Sequence, residues 1–215
     1  MSTTQHSFPS VAKKPLVDVY IARLPEATPS SPVLCASRRA EIEGTANERV
    51  RREKHYVWRL LCYGLEKSLG LNEAALCFSK EKSGAWSVAE AAFSLSHSNG
   101  LLAVAVSHTP VGIDIERVCP HKDKALAARL LTASERAVLE NLPPSERNAF
   151  LLTCFTGKEA VFKAANGALR LSEIDTLTAS LVTDTLFTDG NAYIWSVATD
   201  TPHAVRVFTD IDLLP

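Results

Sequence analysis

Val111-Gly112-Ile113-Asp114-Ile115-Glu116-Arg117 is the stretch on which the reading of this chain turns. Valine and isoleucine at alternate positions predict a strand with one buried face. Asp114 and Glu116, two residues apart, then leave the opposite face together. Neighbouring carboxylates repel unless a cation or solvent lies between them. A hard cation such as magnesium takes one or two carboxylates and fills its remaining positions with phosphate oxygens and water. Further on, Phe155-Thr156-Gly157-Lys158-Glu159-Ala160-Val161-Phe162-Lys163 has helical periodicity. Phe155, Glu159 and Lys163 share one helix face, with Lys158 and Phe162 in the adjacent row. Taken singly, the first motif reads as an exposed strand face and the second as a salt-bridged helix. Together they can hold a divalent cation and steer a phosphate.

Outward from these motifs the chain alternates between both kinds of element. Leu16–Leu24 reads as a strand. Thr45-Ala46-Asn47-Glu48 has the form of a capping box opening a helix to about Ser68, with Gly70 as its stop. Leu76–Ser79, Phe93–Leu95, Leu101–Val106 and Gly112–Val118 read as short strands, with Asn99-Gly100 as a tight hairpin turn. Thr132-Ala133-Ser134-Glu135 is a second capping box. Pro143-Pro144-Ser145-Glu146 starts a helix to about Ala165 that ends near Gly167. Thr176–Val182, Tyr193–Ala198 and Ala204–Phe208 alternate like antiparallel strands. Glu48-Arg49 precedes Gly70 much as Glu146-Arg147 precedes Gly167, a faint internal duplication. The expected fold class is α+β: two similar α/β lobes forming a pseudo-dimer with a site in the crevice. The division is a flexible leader over 1–14, one lobe over 15–111 and a second over 112–215.

The bulk numbers narrow the function classes. The chain has 215 residues, 46% hydrophobic and 22% charged, enough for a real core. A net charge of −1 argues against nucleic acid as a partner. No apolar run approaches a membrane span, and the first ten residues carry no signal core. Five scattered cysteines without a CxxC pair suggest neither a zinc site nor a disulfide framework, so a reducing cytoplasm is the expected setting. Arg38, Arg39, Arg49, Arg51, Arg52, Lys54 and Arg59 crowd the first third, either as a solvated helix face or as an anion site. Ser96-His97-Ser98 ends a predicted strand, where hydroxyls, an imidazole and free backbone N–H groups can grip a phosphate. No GxSxG elbow surrounds any serine.

In this order, Phe93-Ser94-Leu95-Ser96-His97-Ser98, Gly112-Ile113-Asp114-Ile115-Glu116 and the Phe155–Lys163 helix resemble the 4′-phosphopantetheinyl transferase superfamily. The resemblance covers about Arg38 to Leu181 and is nearer to the monomeric, surfactin-synthetase-activator type than to the shorter trimeric synthases. It implies transfer of the phosphopantetheine arm of coenzyme A to a serine of an apo acyl or peptidyl carrier protein, releasing adenosine 3′,5′-bisphosphate. By position, Asp114, Glu116 and Glu159 would hold magnesium, and Glu159 would take the serine proton. Lys163 would bind the phosphate, with Lys158 beside it. Ser96, His97 and Arg52 would contact coenzyme A, and Arg59 its 3′-phosphate. Two departures stand out. The motif tryptophan is Phe155, and Ala85 occupies the place of a phosphate-binding lysine, which leaves Lys80 or Lys82 as substitutes. Competing readings are a catalytically silent relative that binds coenzyme A or a carrier, and an unrelated magnesium-dependent phosphohydrolase. Arg117, Lys122 and Lys124 are candidates to steer an acidic carrier.

Overall fold

A computed structural model describes residues 16–27, 29–119, 129–209 and 211. The expected leader and the candidates Lys122 and Lys124 lie outside the described residues. In chain order the elements are β1 (Leu16–Arg23), α1 (Ala36–Glu43), α2 (Glu48–Leu69), β2 (Ser79–Lys80), β3 (Trp86–Ser87), β4 (Ala92–Ser98), β5 (Leu101–Ser107) and β6 (Val111–Arg117). They continue with α3 (Ala133–Asn141), α4 (Pro144–Ala164), β7 (Leu181–Thr188), β8 (Asn191–Thr199) and β9 (Ala204–Phe208). The expected mixture of helix and sheet is present.

Two sheets dominate. One has the order β4-β5-β1-β9 and the other β6-β8-β7, while β2 and β3 form a small ribbon apart. Alternation along the strands sorts side chains into layers. Val17, Val19 and Ile21 of β1 and Leu101, Ala103 and Ala105 of β5 meet Val111, Ile113, Ile115, Tyr193, Trp195 and Val197 of the second sheet. The opposite face of the first sheet, with Tyr20, Ala22, Leu102, Val104 and Val106, receives Tyr56, Val57, Trp58, Leu60, Leu61 and Leu65 of α2. The second sheet is backed in the same sense by α4, which lies against β6 and β8. The two sheets are thus sandwiched between the two long helices.

Local signals account for most boundaries. Asn99 and Gly100 both adopt positive φ, 47° and 93°, as a two-residue hairpin between β4 and β5 requires. Gly70 ends α2 in the left-handed conformation. Thr132 and Glu135 form the expected reciprocal capping box on α3. Four expectations need correction. The cap of α2 is Asn47, whose side chain accepts from the Val50 N–H, because Thr45 is held by the preceding helix through its hydroxyl to the Glu41 carbonyl. That preceding helix, α1, went unread. Residues 176–180 are not strand: Asp175 closes a turn over Thr178 and Ala179, and β7 begins only at Leu181. Around Leu76–Ser79 only Ser79 is in a strand, with Lys80. Finally, β9 pairs with β1 in parallel, so a strand from the end of the chain completes the first sheet.

Candidate active site

The motif glycine sets the geometry. A Cβ built on Gly112 would lie 1.8 Å from the Ala160 carbonyl oxygen and 2.6 Å from the Ala164 nitrogen. Only a residue without a side chain lets the backbone of α4 come so near β6. Ala160 and Ala164 are the small residues on the helix side of this contact, and Glu159 and Lys163 are their immediate neighbours. The approach therefore delivers the helix motif to the strand motif. Lys163 Nζ lies 2.7 Å from Asp114 Oδ1 and 3.1 Å from the Ile113 carbonyl. As expected, Val111, Ile113 and Ile115 pack inward between the sheets while Asp114 and Glu116 leave the other face.

The outer edge of β6 is closed by side chains rather than by a strand. Ser94, Ser96 and Ser98 of β4 each accept a backbone N–H through Oγ, from Ile113, Ile115 and Arg117 at 3.1, 3.3 and 3.3 Å. Two of these hydroxyls donate onward: Ser96 to Asp114 Oδ1 at 2.8 Å and Ser98 to Glu116 Oε2 at 2.7 Å. Asp114 Oδ1 is thus shared by Ser96 and Lys163, while Oδ2 is buried without a partner. An orphaned carboxylate oxygen at a site 5% exposed is costly unless something binds it. Burial raises the Glu159 carboxyl pKa; Lys163 opposes the rise, and Asp114 and Glu116 add to it.

These features fit a hard divalent cation in donor chemistry: three carboxylates whose charges bear on one another, one of them with a free buried oxygen. Among the described residues, no group of three or more His, Cys, Asp or Glu side chains is placed to hold a metal ion. A magnesium ion that keeps waters and takes substrate phosphates needs no such cage.

The other candidates divide. His97, on β4, faces α2, with Nδ1 3.7 Å from the buried carboxylate of Glu53. Burial lowers the imidazole pKa and Lys163 and Arg38 lower it further, against the pull of Glu53 and Asp114. Phe155 keeps a half-buried ring on the α4 face that carries Glu159. Lys158 is not brought to the site: it is 0% exposed, paired with Glu135 at 2.7 Å and bonded to the Ile174 carbonyl. Residue 158 shares a motif with residue 159 but not a helix face. Arg59 lines a separate cavity of about 460 Å³ with Trp58, Cys62 and Glu73. Arg52 bonds the Glu26 carbonyl and lines another cavity with Arg51 and His55. Neither cavity includes Asp114, Glu116 or Glu159. Lys80 is held by Glu41 at 3.0 Å, and Lys82 is exposed. At Ala85, where a lysine was missed, lies a cavity of about 300 Å³ walled by Trp86, Phe93 and Phe162 and reaching Lys163. That cavity and the Glu53 carboxylate were invisible in the sequence. The regular Ser94, Ser96, Ser98 spacing was visible but went unread beyond its last two serines.

One buried carboxylate, Asp114, thus meets Lys163 directly, with Glu116 and Glu159 near enough to bear on each other's charge. Residues 110–207 match the model of the 4′-phosphopantetheinyl transferase superfamily, so the resemblance read from the sequence holds over the second half of the chain. The chain is 37% identical over 86 residues to the 4′-phosphopantetheinyl transferase HetI of Nostoc sp., covering 39% of this chain and 36% of that protein. It is 35% identical over 92 residues to the 4′-phosphopantetheinyl transferase psf-1 of Bacillus pumilus, covering 43% and 39%. These matches span well under half the length of either relative.

Proposed function

We propose that this protein transfers 4′-phosphopantetheine from coenzyme A to a serine of an apo acyl or peptidyl carrier protein. The observation that carries the reading is the convergence of Asp114, Glu116, Glu159 and Lys163, enforced by the bare backbone of Gly112. The serine oxygen attacks the phosphorus bonded to the pantetheine arm. The pyrophosphate bond to the nucleotide breaks, and adenosine 3′,5′-bisphosphate leaves with that bond's electron pair. Glu159 accepts the serine proton; its carboxylate lies in the desolvated crevice but beside the Lys163 charge, which keeps it available as a base. Lys163 neutralises a transferring phosphoryl oxygen, and His97 holds the nucleotide at the rim. Asp114, Glu116 and Glu159 would hold magnesium, which would supply charge neutralisation on the pyrophosphate being cleaved.

The same reading extends to architecture and setting. Each sheet carries one long helix on its outer face, which supports two lobes related as a pseudo-dimer and dividing near residue 111, except that β9 returns to the first lobe's sheet. Five cysteines outside any disulfide favour a reducing, cytoplasmic setting, and no described helix is long and apolar enough to cross a membrane; the proposed pseudo-dimer would act as a monomer. The test is the intact mass of a recombinant apo carrier protein incubated with this protein, coenzyme A and magnesium. The expected result is a gain of one phosphopantetheine, lost with a chelator and with Asp114→Ala. No gain across a panel of apo carriers, with coenzyme A still bound, would leave a silent binder instead.

A further inference from the structure

Glu53 stands where α2 should be apolar. It starts the sheet-facing row of the helix that continues with Tyr56, Val57, Leu60 and Leu61, all buried. His97 likewise ends a row of β4, after Phe93 and Leu95, which pack on the α2 side of the sheet. Glu53 is 8% exposed. A carboxylate so placed is costly unless charged or hydrogen-bonding groups face it. Two do. Arg49, one turn earlier, donates through Nε to Oε1 at 3.1 Å. The other oxygen, Oε2, lies 3.7 Å from Nδ1 of His97, beyond a hydrogen bond but within an ion pair. The Arg49 side chain is 60% exposed, so water screens its charge. The inward partner of the carboxylate is the imidazole.

We infer that Glu53 is a positioning residue for His97: it turns the Nδ1 edge of the ring inward, so that the imidazole meets an anionic substrate through Nε2 and as a cation. Among the described residues, no hydrogen bond fixes either ring nitrogen, so Glu53 has no competitor for the ring. A carboxylate opposite Nδ1 places the proton of the neutral ring there. A second proton, on Nε2, then makes the imidazolium that a phosphate oxygen can accept from. Every charge facing the ring has a known sign. Burial is the main force against the cation, and Glu53 acts most strongly for it; Lys163 and Arg38 oppose it, and Asp114 favours it more weakly. Lys163 is itself paired with Asp114 at 2.7 Å, and Arg38 with Glu41 at 3.2 Å. Glu53 is therefore the counter-charge that serves the imidazole. That the anion is coenzyme A rests on the transferase reading; the orientation of the ring does not.

Glu53→Gln keeps the shape of the side chain and reverses what faces the ring. Its amide oxygen goes to Arg49 Nε, which needs an acceptor, and its amide N–H then faces Nδ1, so the ring must carry its proton on Nε2. The full chain is labelled with ¹⁵N-histidine, and ring nitrogens are read by long-range ¹H–¹⁵N correlation at about pH 7.5, above the ordinary histidine value of about 6.5. His97→Gln identifies the signals. Wild type should show the Nδ1–H tautomer and become doubly protonated when coenzyme A is added. Glu53→Gln should show the Nε2–H tautomer, stay neutral and bind coenzyme A about 10-fold more weakly by calorimetry. A wild-type ring with its proton on Nε2 overturns the inference without any variant. So does one tautomer shared by both proteins, or a switch of tautomer with coenzyme A affinity unchanged. A switch in a chain that binds no coenzyme A upholds the hold of Glu53 on the ring and refutes the transferase reading instead.

Discussion

The two long helices lie on their sheets by opposite means. α2 brings bulk: Tyr56, Trp58, Leu60, Leu61 and Leu65 are buried against the first sheet. α4 brings small and polar groups: its buried face includes Thr156, Gly157, Lys158 and Ala160. Each contact contains a tight glycine, but what that glycine meets differs. A Cβ on Gly64 of α2 would press on the ring of Tyr20 at 2.9 Å, whereas one on Gly112 would strike helix backbone. Large side chains hold a helix off its sheet and stabilise through apolar area. Small ones let the backbones close up, and here that closeness carries two side chains of α4 to a strand carboxylate. The helix with the less apolar contact is the one that builds the site.

The loss of apolar area on α4 is offset by buried polar pairs. Glu135 accepts from the Thr132 and Thr176 N–H groups, the Thr176 hydroxyl and Lys158, so one carboxylate ties α3, α4 and the turn before β7 together. Those bonds, with Lys158, hold its pKa down against burial. Thr156 and Thr183 share the Ser196 hydroxyl at 2.8 and 2.9 Å, pinning α4 to β8 and β7.

The largest effect expected from breaking this comparison is at the motif lysine. Lys158→Met leaves Glu135 buried without its cation and should cost about 3–5 kcal/mol in chemical denaturation. Adding Glu135→Gln should recover part of that loss, which a lysine serving only a ligand would not show. Next come the glycines. Gly112→Ala should cost about 3 kcal/mol and abolish transfer, since backbone cannot step aside. Gly64→Ala should cost nearer 1 kcal/mol and leave transfer intact, since the Tyr20 ring can shift. Equal costs at the two positions would refute the contrast.

The smallest effect concerns charge on the first helix pair. Burial alone would raise the Glu41 pKa, but hydrogen bonds from Lys80 and Lys54 and the charge of Arg38 bring it from 4.5 down to about 2. A carboxyl lowered by folding stabilises fully above its unfolded value and loses that contribution as pH falls towards its folded one. Wild type should therefore lose stability between about pH 4.5 and 2 more steeply than Glu41→Gln, followed by thermal midpoint across that range. Parallel profiles would show that the network contributes nothing.

The sequence by itself determined the elements whose causes are local. Alternating Val and Ile placed β6 and its outward carboxylates. Asn99-Gly100 placed a hairpin, Gly70 a helix stop and the Thr132–Glu135 box a helix start, because caps, turns and strand faces are fixed by neighbours within a few residues. The ordered motifs also carried the family resemblance. Where two signals lay close together the choice failed: Asn47 won the cap of α2 because Thr45 was already bound into α1. The tertiary structure alone decided what each charge is for. Lys158 and Lys163 lie on one helix and in one motif, yet one is sealed against Glu135 and the other reaches Asp114. Arg52 and Arg59 look like anion ligands in sequence and line cavities without the motif carboxylates. The parallel return of β9 to β1, the use of serines as the missing strand beside β6 and the orphaned oxygen of Asp114 all depend on partners remote in the chain. Local conformation follows from adjacent residues, but burial and ion pairing depend on which surfaces meet.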